Sequence, residues 1–116
     1  MLRGATECSM ENGTRLAAVD MGSNSFRLEI GRLDRGQIHR TEYVKETVRL
    51  GAGLNDDKTL TQEAMERGWA CLARFGERLA GFPRGSVRAV ATQTLREAIN
   101  RDAFVAQAEQ LLGFPI

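Results

Sequence analysis

Three short stretches carry residue types that could handle phosphate. The first is Asp20-Met21-Gly22-Ser23-Asn24-Ser25. A phosphate oxygen needs converging donors and close backbone approach. A Gly-Ser-Asn-Ser turn offers amides, two hydroxyls and a carboxamide. Asp20 ends an apolar run, where a carboxylate could hold a divalent cation directly or through water. The same six residues also fit a polar β-turn with a capping aspartate. The second stretch, Val48-Arg49-Leu50-Gly51-Ala52-Gly53-Leu54, sets an arginine just before a glycine-rich loop. The planar fork of Arg49 can donate two parallel hydrogen bonds to phosphate, whereas Gly51 and Gly53 alone describe an ordinary turn. The third runs from Val87 through Thr92-Gln93-Thr94-Leu95-Arg96 into Glu97 and Ala98, from a buried strand into a helix start. Free amides and the helix dipole favour an anion there, with Thr92, Thr94 and Arg96 as added donors. A plain threonine-capped helix is the competing description. His39, the only histidine, has no partner carboxylate at a telling spacing and receives no catalytic role.

The elements that must position these stretches follow from hydrophobic period. Residues 16–19 form a short continuous apolar run, as in a central strand covered on both faces. Phe26, Leu28 and Ile30 alternate with Arg27 and Glu29, which predicts a half-buried second strand. Asp34-Arg35-Gly36 turns the chain, and residues 37–50 read as a third strand. Three strands joined by tight turns make an antiparallel meander. A helix is predicted from Thr61 to Gly81, with Thr59 or Thr61 as its cap and Glu63 in its first turn. Met65, Trp69, Leu72, Phe75, Leu79 and Phe82 share one face of it, with Trp69 and Leu72 central. Val87 to Ala91 is a further small strand, and a right-handed crossover sets it parallel to the first. A short helix over 95–99 follows. Asn100 then caps another running to about Leu112, with Val105, Ala108 and Leu112 inward, and residues 113–116 begin a further element.

Length and composition narrow the class. The 116 residues allow one modest domain, read as a flexible leader over 1–14 and a phosphate-binding lobe over 15–116. The 42% hydrophobic and 27% charged content is ordinary for a globular protein. No apolar run approaches a membrane span, and the N-terminus lacks a secretory signal, so a cytoplasmic protein with no membrane partner is expected. Cys8 and Cys71 make neither a disulfide framework nor a metal site, and Cys71 reads as an apolar filler. A net charge of +1 gives no polycation for coating nucleic acid. Locally, Arg84, Arg88, Arg96 and Arg101 stand against Glu97 alone, a field that suits an anionic ligand or a solvated arginine-rich edge.

In order and spacing, DMGSNSFRL, VRLGAGL and VRAVATQTLREAIN resemble the exopolyphosphatase/guanosine pentaphosphate phosphohydrolase family. That family belongs to the actin-like, sugar-kinase and heat-shock-protein superfamily of phosphate-binding folds. The likeness covers residues 15–116. Met21 stands where the family has Leu or Ile, and Gln93 and Thr94 stand where it varies. The resemblance implies an α/β, ribonuclease-H-like lobe with a mixed sheet of about five strands and packed helices. It implies that Gly22, Ser23, Asn24 and Ser25 form a phosphate loop, that Thr92, Arg96 and Arg49 face the phosphate chain, and that Asp20 holds Mg²⁺.

The implied activity is hydrolysis of terminal phosphoanhydride bonds in inorganic polyphosphate or guanosine pentaphosphate, by a parent enzyme that is a homodimer. The family's water-activating glutamate lies in a Gly-x-Glu-Glu-Ala-Arg segment, and its second glycine-rich loop reads Asp-Ile/Leu-Gly-Gly-Gly-Ser. Neither occurs in this chain, so the general base is expected beyond Ile116 and the chain alone is expected to be inactive. Two other readings stand beside it. One is a lobe of an actin-like-fold kinase or ATPase, which would need an adenine pocket. The other is a non-catalytic anion-binding module.

Overall fold

The computed structural model describes residues 12–116. The expected leader falls mostly outside them, as does Cys8. Asn12 to Thr14 are tied down: the Gly13 amide donates to the Leu33 carbonyl, and Asn12 Oδ1 accepts from the Arg35 amide.

The meander comprises β1 (Arg15–Met21), β2 (Ser25–Asp34) and β3 (Gln37–Thr47). The β2–β3 turn is two residues, Arg35 at φ 51° and Gly36 at φ 80°. Two successive positive φ values match the right-handed twist of the strands they join. The predicted third strand stops three residues early, because Arg49 adopts φ 55° and breaks the extended run. Helix α1 (Gln62–Arg78) starts where Thr61 Oγ1 accepts the Ala64 amide at 3.1 Å, as the cap pattern predicts. It ends earlier than the expected Gly81. Strand β4 (Val87–Ala91) returns parallel to β1, pairing Ala17 with Val87 through Met21 with Ala91. Two helices follow: α2 (Gln93–Glu97), starting two residues before the predicted 95–99, and α3 (Arg101–Leu112).

The sheet runs β3-β2-β1-β4, four strands among the described residues rather than about five. Residues 113–116 add none: Gly113 takes φ 89°, Pro115 has no amide to give, and the Ile116 amide donates to the Glu109 carboxylate. Among the described residues no helix is long and apolar enough to cross a membrane.

Alternation sorts the sheet into two faces. Ala17, Val19 and Met21 of β1 and Phe26, Leu28 and Ile30 of β2 point into a core shared with α1 and α3. The predicted α1 face is buried with one correction. Leu72, Phe75 and Leu79 are inaccessible, but Trp69 is half-buried at the seam with α3, stacked on Phe104 at 6.0 Å and donating its indole N–H to the Phe104 carbonyl. On α3 the buried row is Phe104, Ala108 and Leu112, while Val105 is only partly covered. Asn100 precedes α3 but makes no cap bond. Its amide instead pairs both ways with the Leu60 backbone, fixing the start of α3 against the loop before α1. Cys71 is a buried filler, its thiol pushed up to about 12 by burial.

The outer flank of α1 is pinned to β3. Arg74 grips Glu46 with two hydrogen bonds, and Arg78 Nη1 reaches Glu42 at 2.9 Å. The Arg74 hydrogen bonds hold the Glu46 carboxyl below its ordinary 4.5. A depressed carboxyl stabilises the fold above its ordinary range, and that contribution is lost as pH falls through the lowered value. Glu46→Gln should therefore cost up to about 1 kcal/mol at neutral pH, since Arg74 is largely solvated. The deficit should shrink between neutral pH and a pH well below the ordinary carboxylate range, as followed in denaturant titrations. A deficit equal at both pH values would remove the ion pair as its cause.

Candidate functional site

The site forms at the C-terminal ends of the two parallel strands, β1 and β4, where three loops meet. The 20–25 turn is closed by the Gly22 amide donating to the Ser25 carbonyl at 3.0 Å. A Cβ on Gly22 would lie 2.9 Å from that carbonyl oxygen, so glycine permits the closure. Ser23 and Asn24 are exposed, and among the described residues no backbone carbonyl accepts either amide. Ser25 is different: it already pairs with Thr47 in the sheet and is buried, so its hydroxyl faces Asn24 Nδ2 at 3.4 Å and not solvent.

The second loop docks on the first through the backbone. The Asn24 carbonyl accepts the amides of Val48 at 3.0 Å and Arg49 at 2.8 Å, and the Ser23 carbonyl accepts the Gly51 amide at 2.8 Å. Gly51 sits so close that a Cβ would meet Ser23 Cβ and Thr94 Oγ1, each at 3.3 Å. Arg49 is exposed beside this junction. Gly53 belongs elsewhere: it packs under Ala64 at the start of α1.

The third loop arrives from β4. Thr92 does not cap α2. Its hydroxyl and its amide both donate to the Met21 carbonyl, at 2.9 and 3.1 Å, extending the β1–β4 ladder by one step. Thr94 Oγ1 lies 2.5 Å from Ser23 Oγ, a side-chain-to-side-chain hydrogen bond between the first and third loops. Arg96 is exposed, with its carbonyl held by Arg101 Nη1 at 2.8 Å. Its neighbour Glu97 pairs with Gln93 and Lys58, not with Arg96. The Gln93 hydrogen bond, then Lys58, holds that carboxyl below its usual range.

Asp20 lies on the sheet face opposite the helices. Its Oδ2 is 3.7 Å from Arg27 Nη1, while its Oδ1 is shielded from solvent and has no hydrogen-bond partner. A shielded carboxylate oxygen without a donor fits a cation or its water. Among the described residues no three His, Cys, Asp or Glu side chains cluster. A cation at Asp20 would therefore take its other ligands from water and from the bound anion, as Mg²⁺ commonly does. A basin of about 350 Å³ lined by Asp20, Arg27, Glu29, Arg40 and Tyr43 adjoins this carboxylate. A larger groove of about 580 Å³ lies further along the same open face, between Ile38 and Arg88. It is uncovered sheet surface that shares Ala18, Glu29 and Arg40 with the smaller basin.

A model described as the Ppx/GppA phosphatase family matches residues 30–116. The chain belongs to the Ppx/GppA phosphatase family. Solved structures agree. A Ppx/GppA enzyme of Aquifex aeolicus is 26% identical with a TM-score of 0.78, over 89% of this chain and 36% of that one. An exopolyphosphatase-like protein is 31% identical at 0.80, over 90% and 32%. An exopolyphosphatase from Cytophaga hutchinsonii is 26% identical at 0.80, over 88% and 33%. The lobe is thus the actin-like lobe of Ppx/GppA structures, and the chain spans about a third of the length of these relatives. The family match starts at Ile30, after the 20–25 turn.

The sequence points to Thr94 at this Ppx/GppA junction but not to Arg67. Thr94, expected as an added donor at a position the family varies, is buried against Ser23. Arg67 lies on an exposed face of α1. It donates from Nε to the Val48 carbonyl at 2.8 Å and from Nη2 to the Arg49 carbonyl at 3.1 Å.

Proposed function

We propose that this chain is the phosphate-handling lobe of a hydrolase that removes terminal phosphate from inorganic polyphosphate or guanosine pentaphosphate. The observation that carries the reading is the Ser23–Thr94 hydrogen bond. It unites an amide-rich turn and the Arg96-bearing helix at the ends of two parallel strands. Membership of a phosphatase family and likeness to an exopolyphosphatase support the chemistry.

In this reading the free Ser23 and Asn24 amides and the Ser23 and Thr94 hydroxyls orient phosphate oxygens, while Arg49 and Arg96 offset their charge. Asp20 would hold Mg²⁺, which when bound neutralises phosphate charge. Phosphoryl transfer depends mostly on such positioning and neutralisation. Proton removal from water is assigned to a carboxylate outside these 116 residues. Glu29 is occupied by Arg40 at 3.1 Å, and Glu97 by Gln93 and Lys58.

The chain should bind long-chain polyphosphate weakly, with an affinity that falls as salt is added. It should release no phosphate with Mg²⁺ present. Arg96→Ala should weaken binding about tenfold, the effect of losing a hydrogen bond to a charged group. Phosphate release by the chain would overturn the assignment of the base elsewhere. Binding unchanged in Arg96→Ala would take Arg96 out of the site. A kinase or ATPase reading would instead need tight nucleotide binding in the same assay.

A further inference from the structure

We infer that Arg67 is a positioning residue for the anion site, a clamp that holds the Arg49 loop against the 20–25 turn. This rests on the phosphate-site reading above, and the geometry is specific. Val48 and Arg49 are each bonded on both sides of their peptide groups. Their amides donate to the single Asn24 carbonyl, at 3.0 and 2.8 Å, and their carbonyls accept the two arms of Arg67, at 2.8 and 3.1 Å. Four hydrogen bonds thereby fix a two-residue segment between the first loop and α1. The segment needs them. Arg49 holds φ 55°, a left-handed conformation unfavourable for a residue with a Cβ, and it persists only where the surroundings over-determine it. Two residues on, the Gly51 amide reaches the Ser23 carbonyl at 2.8 Å, so any slip of the segment is passed to the serine that meets Thr94.

The donor must be a planar fork. Two adjacent carbonyls are met by Nε and Nη2 of one guanidinium, whereas an ammonium is a point donor that cannot reproduce the spacing. This separates clamping from a charge effect. A lysine keeps the positive charge near the anion and loses the fork.

The test uses the full chain, Arg67→Met and Arg67→Lys, and three measurements. These are thermal midpoint, amide hydrogen exchange, and binding of inorganic polyphosphate at fixed salt. Exchange of the Val48, Arg49 and Gly51 amides should accelerate about tenfold in both variants, with amides of the α1–α3 core unchanged. Polyphosphate affinity should fall about tenfold in both, because the charge-assisted bonds are lost alike. The midpoint should barely move, as Arg67 lies outside the core. Unchanged exchange at Arg49 and Gly51 overturns the clamp whatever the chain binds. Wild-type affinity in Arg67→Lys overturns it in favour of charge alone. Failure of the unaltered chain to bind polyphosphate would instead overturn the site reading itself, with the exchange result still deciding whether the clamp exists.

Discussion

Leu72→Ala should destabilise the chain by about 2–5 kcal/mol, the range for truncating a large buried side chain in a core that cannot collapse around the gap. Leu72 is wholly inaccessible and lies mid-helix among Met65, Phe75 and Leu79, facing the inner rows of β1 and β2. Its surroundings are held from several sides. The Arg74 and Arg78 ion pairs fix α1 to β3, and Trp69 fixes it to α3, so closing the cavity would require these contacts to move together. A domain of this size has a net stability of about 5–15 kcal/mol, so the loss is a large share. The thermal midpoint should drop on the order of 10 °C or more. A cost below about 0.5 kcal/mol, the usual effect of a surface change, would show that this face is not the core.

Gly76→Ala should also destabilise, against the propensity of its own helix. Alanine in place of a helical glycine ordinarily gains about 1 kcal/mol. Here a Cβ would lie 2.3 Å from the Leu111 carbonyl oxygen and 3.1 Å from that of Leu112. Both are backbone atoms at the end of α3, so no side-chain rotation relieves the overlap. Helix α3 would have to withdraw, yet its start is tied by Asn100 to Leu60 and its first turn by Trp69 to Phe104. Overpacking of this kind costs about 1–3 kcal/mol or more, and we expect a net loss of about 2 kcal/mol. Gly85→Ala is the control: no atom lies within 4 Å of its Cβ, and it should change stability by less than about 0.5 kcal/mol. The same substitutions can be followed through Trp69 fluorescence, since the single tryptophan reports the α1–α3 seam. Stabilisation by Gly76→Ala would mean that the two helices do not cross this closely.

What could be read in advance follows from which interactions leave a periodic trace. The meander, the Thr61 cap, the 65/72/75/79 face and the parallel return of Val87–Ala91 all follow from period or from a local cap, and all are present. Gly68 and Gly76 carry no such trace. A glycine inside a helical pattern reads as a local weakness, whereas here Gly68 admits the Phe104 ring and Gly76 admits the end of α3. Phe104 was missed for a related reason: its partner lies 35 positions away, and only the tertiary fold puts the rings together. At the site, the three loops were legible by composition, but their stitching was not. Side-chain-to-backbone bonds such as Arg67 to Val48, and a positive φ at an arginine, have no signature in residue type. Thr92 offered a familiar cap pattern and instead spends its hydroxyl on Met21, because the strand ladder reaches one residue further than the apolar run.

The parallel pairing of β1 with β4 also sets an order in time. Hairpins such as β1–β2 and β2–β3 join near neighbours and form within about 1–10 μs. Ser23 and Thr94 stand 71 positions apart, so their contact waits until α1 has folded back and the chain has closed a long loop. On a ribosome adding about 5–20 residues per second, the 20–25 turn emerges several seconds before the strand that completes it. During that interval the nascent chain carries a meander with an unmatched edge along β1 and the Asp20 carboxylate without its opposite loop. The 20–25 turn and the Thr94 loop therefore stand together only after the last long-range ladder has formed.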